Sequence, residues 1–143
     1  MNTYEVVRTN YFRVNDADVF REFIGRVICD EDKLELWEKP SPDGETLFAF
    51  GAYGSIIGIL DDNGELCDEA YEDFLTGLQE CVAVGDAIIL MNIGHEKLRE
   101  VFAEAVVITS DDSDCVDLCD AAVDLANSML EEQSQGNPWK IQR

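Results

Sequence analysis

Two long stretches of this chain, residues 40–96 and 100–139, contain no lysine or arginine. The first holds 12 acidic residues and the second holds 10, so together they carry 22 of the chain's 31. The formal net charge is −21 on 143 residues. Like charges at this density repel one another on a compact surface, which opposes folding but raises solubility. Any fold must therefore spread these carboxylates over its surface and bury enough apolar area to offset the repulsion.

The apolar content is sufficient for a packed core. Hydrophobic residues make up 46% of the chain, with seven phenylalanines, four tyrosines and two tryptophans. Disorder requires low hydrophobicity in addition to high net charge, so this composition indicates a folded protein. The length suits one domain, and we assign residues 1–143 to it.

The sequence predicts a cytoplasmic protein. Residues 1–13 lack the apolar core of a signal peptide, and no apolar run reaches the roughly 20 residues of a membrane span. The five cysteines are odd in number and show no CxxC spacing. That pattern is typical of free thiols in a reducing compartment.

Apolar periodicity predicts three helices. The first follows a cap at Asn15 or Asp16 and has an apolar stripe that runs to Val27. The second covers residues 69–82, and the third covers residues 120–132 with Ala122, Leu125, Ala126 and Met129 on one face.

Strand signals lie between these helices. Alternating or clustered β-formers predict strands at 4–7, 11–14, 34–38, 46–51, 55–60, 87–92 and 115–118. The turn signal Ser41-Pro42-Asp43-Gly44 joins the strands at 34–38 and 46–51 in a hairpin. Residues 96–105 are ambiguous, because Leu98, Val101, Phe102 and Ala105 have helical spacing. A helix that runs directly into the strand-like residues 106–109 is awkward, so we favour one long strand over 101–109.

These elements predict an α+β fold in the order β-α-βββ-α-βββ-α. Short connections between strands favour an antiparallel sheet, and the helices are expected on one face of it. A helix followed by three strands occurs twice, which suggests an internal duplication.

Two acidic clusters are the candidate partner-binding residues. The first comprises Asp61, Asp62, Glu65, Asp68, Glu69, Glu72 and Asp73. The second comprises Asp111, Asp112, Asp114, Asp117, Asp120 and Asp124. Helical spacing places Glu69, Glu72 and Asp73 on one face, with about one charge per 2 Å of helix rise. Duplex DNA carries roughly one charge per 1.7 Å of its axis.

The clusters therefore predict a surface that imitates phosphates in the basic cleft of a nucleic-acid-binding protein. The alternative is a solvated surface that serves only solubility, although ordinary soluble surfaces intersperse lysine among the acids. The same charge disfavours direct binding to nucleic acid or to anionic membranes. A homodimer is compatible with the sequence.

No catalytic or metal motif is evident. Asp61-Asp62-Asn63-Gly64 resembles part of an EF-hand calcium loop. Aligning Gly64 with the turn glycine of that loop puts Ile59 and Ala70 at the first and twelfth ligand positions, where neither side chain can bind calcium. His95 is the single histidine, and nothing in the spacing selects partners for it. We expect neither an enzyme nor a cofactor.

Several segments resemble a group of small acidic proteins encoded on conjugative elements of Gram-positive gut bacteria. The segments are Thr9-Asn10-Tyr11-Phe12-Arg13-Val14, Glu35-Leu36-Trp37-Glu38, His95-Glu96-Lys97-Leu98-Arg99, Val107-Ile108-Thr109-Ser110 and Asn137-Pro138-Trp139. The resemblance implies a setting similar to that of anti-restriction and anti-CRISPR proteins, where acidic DNA mimics recur. It carries no site residues across.

The sequence thus predicts a non-enzymatic DNA-mimic-type inhibitor of a restriction or CRISPR protein. The alternative is an interaction module whose contacts are apolar and whose charge serves only solubility.

Overall fold

The computed structural model describes residues 3–97 and 99–133. Leu98 and the motif Asn137-Pro138-Trp139 lie outside the described residues. In chain order the elements are β1 (Thr3–Thr9), α1 (Ala17–Gly25), β2 (Val27–Cys29), β3 (Glu35–Pro40), β4 (Thr46–Tyr53), β5 (Ile56–Ile59), α2 (Ala70–Cys81), β6 (Ile88–Glu96), β7 (Glu100–Ile108), β8 (Ser113–Asp117) and α3 (Leu118–Gln133). No helix in the described part of the chain is long and apolar enough to cross a membrane.

The architecture is α+β with antiparallel strand pairing, as the sequence predicts. Six strands form one sheet in the order β3-β4-β1-β6-β7-β8, and β2 pairs with β5 in a separate two-stranded sheet. The observed order differs from the prediction by one strand. α1 is followed by four strands divided between two sheets, whereas α2 is followed by three strands of one sheet. The two halves of the chain therefore do not repeat one arrangement.

The core lies between one face of the large sheet, here called the inner face, and the layer formed by α1, α2 and the β2–β5 pair. Five phenylalanines in it are completely buried: Phe12, Phe20, Phe48, Phe50 and Phe74. The Phe20 ring of α1 lies 5.0 Å from that of Phe48, and the Phe74 ring of α2 lies 6.1 Å from that of Phe50. Both helices thus pack on β4.

Asp16 starts α1, which confirms one of the two predicted caps. Its Oδ1 accepts hydrogen bonds from the backbone N–H groups of Asp18 and Val19, at 3.0 and 3.2 Å. The predicted extension of the helical stripe to Val27 is wrong. The helix ends at Gly25, and Val27 begins β2 opposite Ile59, because β-branched residues with an available strand partner favour pairing.

The predicted strand at 11–14 is also wrong. Phe12 and Val14 each make an isolated bridge, to Phe48 and Val82 respectively. This segment crosses the end of the sheet and joins β4 to the end of α2 without forming a continuous ladder.

Residues 88–108 form a long β-hairpin, so the preference for strand over helix is confirmed from Glu100 onward. Glu96 pairs with Glu100, and Lys97 in the turn has a positive φ of 48°. The strand predicted at 87–92 extends to Glu96.

α3 is peripheral. It contacts β7 and β8, and none of its described side chains is fully buried. The predicted apolar face of this helix does not pack on the core, since Leu125 and Met129 are 62% and 55% exposed.

Candidate acidic partner-binding surface

The first acidic cluster occupies the loop from β5 to α2 and the first turns of α2. Asp61 folds back into this loop, where its Oδ1 accepts the backbone N–H groups of Asn63 and Glu65, both at 2.9 Å. The remaining six members of the cluster are exposed. Asp61 is therefore a turn residue, and the other carboxylates face solvent.

α2 begins at a fixed point on β5. A Cβ atom added to Gly58 would collide with the backbone of Ala70, so only glycine allows β5 to approach the helix this closely. Glu69 occupies the cap position without a side-chain cap bond, and Glu72 and Asp73 lie in the first turn. Acidic groups near a helix N-terminus interact favourably with its dipole, which offsets part of their mutual repulsion.

Arg26 neutralises part of this cluster. Its Nη1 lies 3.7 Å from Asp62 Oδ1, and it lines a shallow groove together with Asp61, Asp73 and Glu80. The pair is solvent-exposed, so it contributes little to stability and leaves an excess of negative charge.

The structure divides the second cluster among three elements. Asp111 and Asp112 form the β7–β8 turn, in which Asp112 N–H donates to Thr109 Oγ1 at 3.1 Å. Asp114 and Asp117 lie on β8, and their odd spacing places them on opposite faces of the sheet. Asp120 and Asp124 are exposed on α3, one turn apart.

Asp117 caps α3. Its Oδ1 accepts the backbone N–H groups of Cys119 and Asp120, at 2.9 and 3.0 Å. The carboxylate thus has a structural role in addition to its charge, and we treat it separately from the fully exposed members of the cluster.

Glu104 was missed by sequence reasoning, although it connects the two clusters. It lies on the inner face of β7 directly opposite Asp117 of β8. It also lines a cavity of about 120 Å³ together with Tyr71 of α2. The start of α2 and the end of β8 therefore meet at Glu104.

Glu5 of β1 belongs to the same region. Burial raises the pKa of Tyr71, and the negative charges of Glu104 and then Glu5 raise it further. We call the group Glu5, Glu104 and Asp117 the acidic junction. Every second residue of this strand, from Phe102 through Val106 to Ile108, is apolar except Glu104. An acid within such an apolar series is the sequence signal that could have revealed it.

Acidic residues also face one another at the turn end of the hairpin, where Glu96 is directly opposite Glu100. Like charges placed directly across an antiparallel pair are destabilising. Two such pairs, this one and Glu104 with Asp117, lie on the inner face.

The clusters do not merge completely. Along β8, Ser113 pairs with Ile108 and Asp117 with Glu104, so about 13 Å of strand separates the Asp111–Asp112 turn from the junction. The junction is the centre of the acidic region, and Asp111 and Asp112 lie at its margin.

His95 lies away from this region, on the opposite face of the sheet. Its ring stacks on Tyr4 with the centroids 5.2 Å apart. Within residues 3–97 and 99–133, no three His, Cys, Asp or Glu side chains converge as a metal site would require.

Comparison with protein-family models, with curated proteins and with solved structures gave no match to this chain.

Proposed function

We propose that this protein binds the nucleic-acid cleft of a restriction or CRISPR protein through its acidic surface and blocks nucleic-acid access. The observation that carries the proposal is the convergence of α2, β7 and β8 at Glu104 and Asp117. Acids opposed in this way weaken the sheet locally. This pair therefore concentrates negative charge at the point where the two acidic clusters approach each other.

The arrangement of charge supports binding to a basic partner. The two base-free stretches hold 22 acidic residues, and the described ion pairs of this chain involve Arg13, Arg21 and Arg26. A surface of one sign steers an oppositely charged partner, accelerates association and makes it sensitive to salt. The protein acts without turnover and without a cofactor in this proposal, and its targets place it in the cytoplasm.

The test uses two variants with the same change in charge. The first carries Glu72→Gln, Asp73→Asn and Glu104→Gln, at the start of α2 and at the junction. The control carries Glu22→Gln, Glu31→Gln and Asp32→Asn, all at exposed positions near α1 and β3. Each protein is immobilised and exposed to a lysate of a Gram-positive host, and bound proteins are eluted with rising salt.

We expect the wild type and the control to retain a basic nuclease, methyltransferase or CRISPR effector that is released by salt. The first variant should lose it. Purified target is then assayed for DNA cleavage with each variant. Equal inhibition by the wild type and by the first variant would exclude the acidic surface as the binding site.

A second function is favoured by a different observation. The face of the large sheet opposite the core, here called the outer face, exposes seven large apolar side chains: Tyr4, Val6, Tyr53, Ile89, Ile93, Val101 and Val116. An interaction module could dock a neutral partner there, with the acids serving only solubility. Retention that resists high salt and is unchanged in both charge variants would support it.

A further inference from the structure

Most of the exposed apolar side chains of the outer face lie next to one another. Val6 of β1 is directly opposite Tyr53 of β4 on one side and Ile93 of β6 on the other. Tyr4 is opposite His95, which in turn is opposite Val101 of β7. Five of the seven exposed apolar side chains thus lie in two neighbouring rows at the middle of the sheet, with His95 between Tyr4 and Val101.

The outer face is also the side of the sheet with no net charge. Its strand positions carry two basic residues, Arg8 and Lys39, and two acidic residues, Glu35 and Asp114. The inner positions of the same six strands carry six acids and no base: Glu5, Glu38, Glu96, Glu100, Glu104 and Asp117. On a chain of net charge −21, the outer face is thus electrostatically distinct.

Its size is close to that of a specific interface. Six strands about 4.8 Å apart and about 23 Å long give a face of roughly 650 Å² before side-chain relief is counted. Standard protein interfaces bury about 800 Å² on each partner, so the whole face, with its charged positions included, approaches the share of one partner.

We propose that two copies of this chain pair through their outer faces. Two molecules that each carry −21 repel one another over most of their surface, so they can approach closely where the charge cancels. A basic partner gains no electrostatic attraction on this face and is drawn to the acidic side instead. Burial of the apolar patch supplies the free energy of association.

The charged residues of the face specify how the copies align. Pairing across the sheet places Glu35, Gly51, Arg8, Met91, Ala105 and Val116 in one row. Consecutive rows of the outer face are two residues apart along each strand. Asp114 on edge strand β8 lies one row beyond Val116, and Lys39 on edge strand β3 lies two rows beyond Glu35 in the same direction. A two-fold axis parallel to the strands lays the β3 edge of each copy over the β8 edge of the other. Lys39 of each copy then lies across the interface from Asp114 of the other, offset by about 7 Å along the strands and separated by the spacing of about 10 Å between stacked sheets.

This inference does not depend on the proposed function, since the two acidic junctions of such a dimer point away from each other. If the outer faces are covered in this way, the second candidate function loses the surface that it requires.

Sedimentation equilibrium of the full chain over a range of concentrations tests the dimer in the absence of any partner. We expect a mass of twice 16.0 kDa for the wild type. The double variant Val6→Thr, Ile93→Thr keeps β-branched side chains but adds hydroxyls to the patch, and we expect at least a tenfold rise in its dissociation constant. The matched control is Val19→Thr with Val84→Thr, two exposed valines outside the sheet, which should leave the mass unchanged.

A charge exchange tests the alignment. Lys39→Asp alone should weaken the dimer because two acids then face each other, and Lys39→Asp with Asp114→Lys should restore it. Rising salt should strengthen the dimer by screening the repulsion between copies, which is the opposite of its expected effect on a basic partner. Circular dichroism verifies that each variant folds.

A monomer at every concentration overturns the proposal, and so does a dimer that the Val6 and Ile93 substitutions leave intact. The interaction module is favoured instead if the wild type is a monomer that retains a salt-resistant partner from lysate and the Val6→Thr, Ile93→Thr variant does not retain it. None of these results bears on retention of a basic partner by the acidic surface, so the two proposals can fail separately.

Discussion

Glu104 of β7 and Asp117 of β8 lie directly opposite one another, so two acidic side chains share one position of an antiparallel pair. Asp117 is held there by the two backbone N–H groups at the start of α3, and Glu104 lines the cavity beside Tyr71. The carboxylates therefore meet as a consequence of the register between β7 and β8.

Removing the charge of Glu104 should stabilise the fold. Like charges directly across an antiparallel pair cost up to about 1 kcal/mol, so Glu104→Gln should raise the free energy of unfolding by about 0.2–1 kcal/mol in urea titrations. Glu38→Gln is the matched control, and it should lower that free energy because Glu38 bonds Arg21 Nη2 at 2.7 Å. The same bond lowers the pKa of Glu38. A loss of stability in Glu104→Gln would contradict the assigned repulsion.

Tyr71 should ionise at higher pH than an ordinary tyrosine. Burial first, then Glu104 and Glu5, raises its pKa above the usual 10.0. Because the folded-state pKa is the higher one, its contribution to stability is complete below about pH 10 and is lost as pH rises through the folded value. The difference in phenolate absorbance between wild type and Tyr71→Phe isolates this titration. Glu104→Gln should move it down in pH, although burial should keep it above 10; an unmoved titration would place Glu104 too far away to act.

Gly77→Ala should destabilise the contact between α1 and α2. A Cβ atom at Gly77 would collide with the ring of Phe23, which stacks on Phe74 with the centroids 6.0 Å apart. Overpacking of this kind costs about 1–3 kcal/mol. Gly25→Ala is the control, because nothing lies within 4 Å of its added Cβ, and it should stabilise by about 0.4–1 kcal/mol. Urea unfolding of both variants measures the two effects, and similar values for both would argue against close packing at Gly77.

Thiol reactivity should divide the cysteines. Burial, assisted by Asp30, raises the pKa of Cys29, and burial, assisted by Glu80, raises that of Cys81. Since the thiolate is the reactive form, both should be modified slowly near neutral pH. Cys67 and Cys115 are exposed and should react first. Alkylation for a short time followed by peptide mass spectrometry identifies the order, and early labelling of Cys81 would run against the structure.

Helical periodicity was sufficient to predict α1 and α2, because their buried residues, among them Phe20, Phe23, Phe74 and Leu78, repeat along one face. It failed at Val27, which continues the helical spacing but pairs with Ile59 far along the chain. It predicted the helix α3 but not its packed face, since Leu125 is 62% exposed whereas Val123, Ala126 and Leu130 are half-buried.

The acidic clusters could be read from composition alone, but their centre could not. Glu104 belongs to neither acidic cluster, and its significance depends on which residue of β8 lies opposite it. Strand register is set by packing between segments that are distant in sequence, so single-sequence patterns do not determine it. For the same reason, the neutral outer face emerges only after the strands are aligned.

The central position of β1 in the sheet has a consequence for synthesis of the chain on the ribosome. β1 pairs with β4 through residues 51–53 and with β6 through residues 90–96. Neither neighbour exists when β1 is synthesised, and β6 begins at Ile88, 79 residues after β1 ends at Thr9. Such non-local pairing slows folding. A nascent chain that ends before β6 therefore lacks one side of its central strand, and the native sheet can be completed only after β6, β7 and β8 have been synthesised.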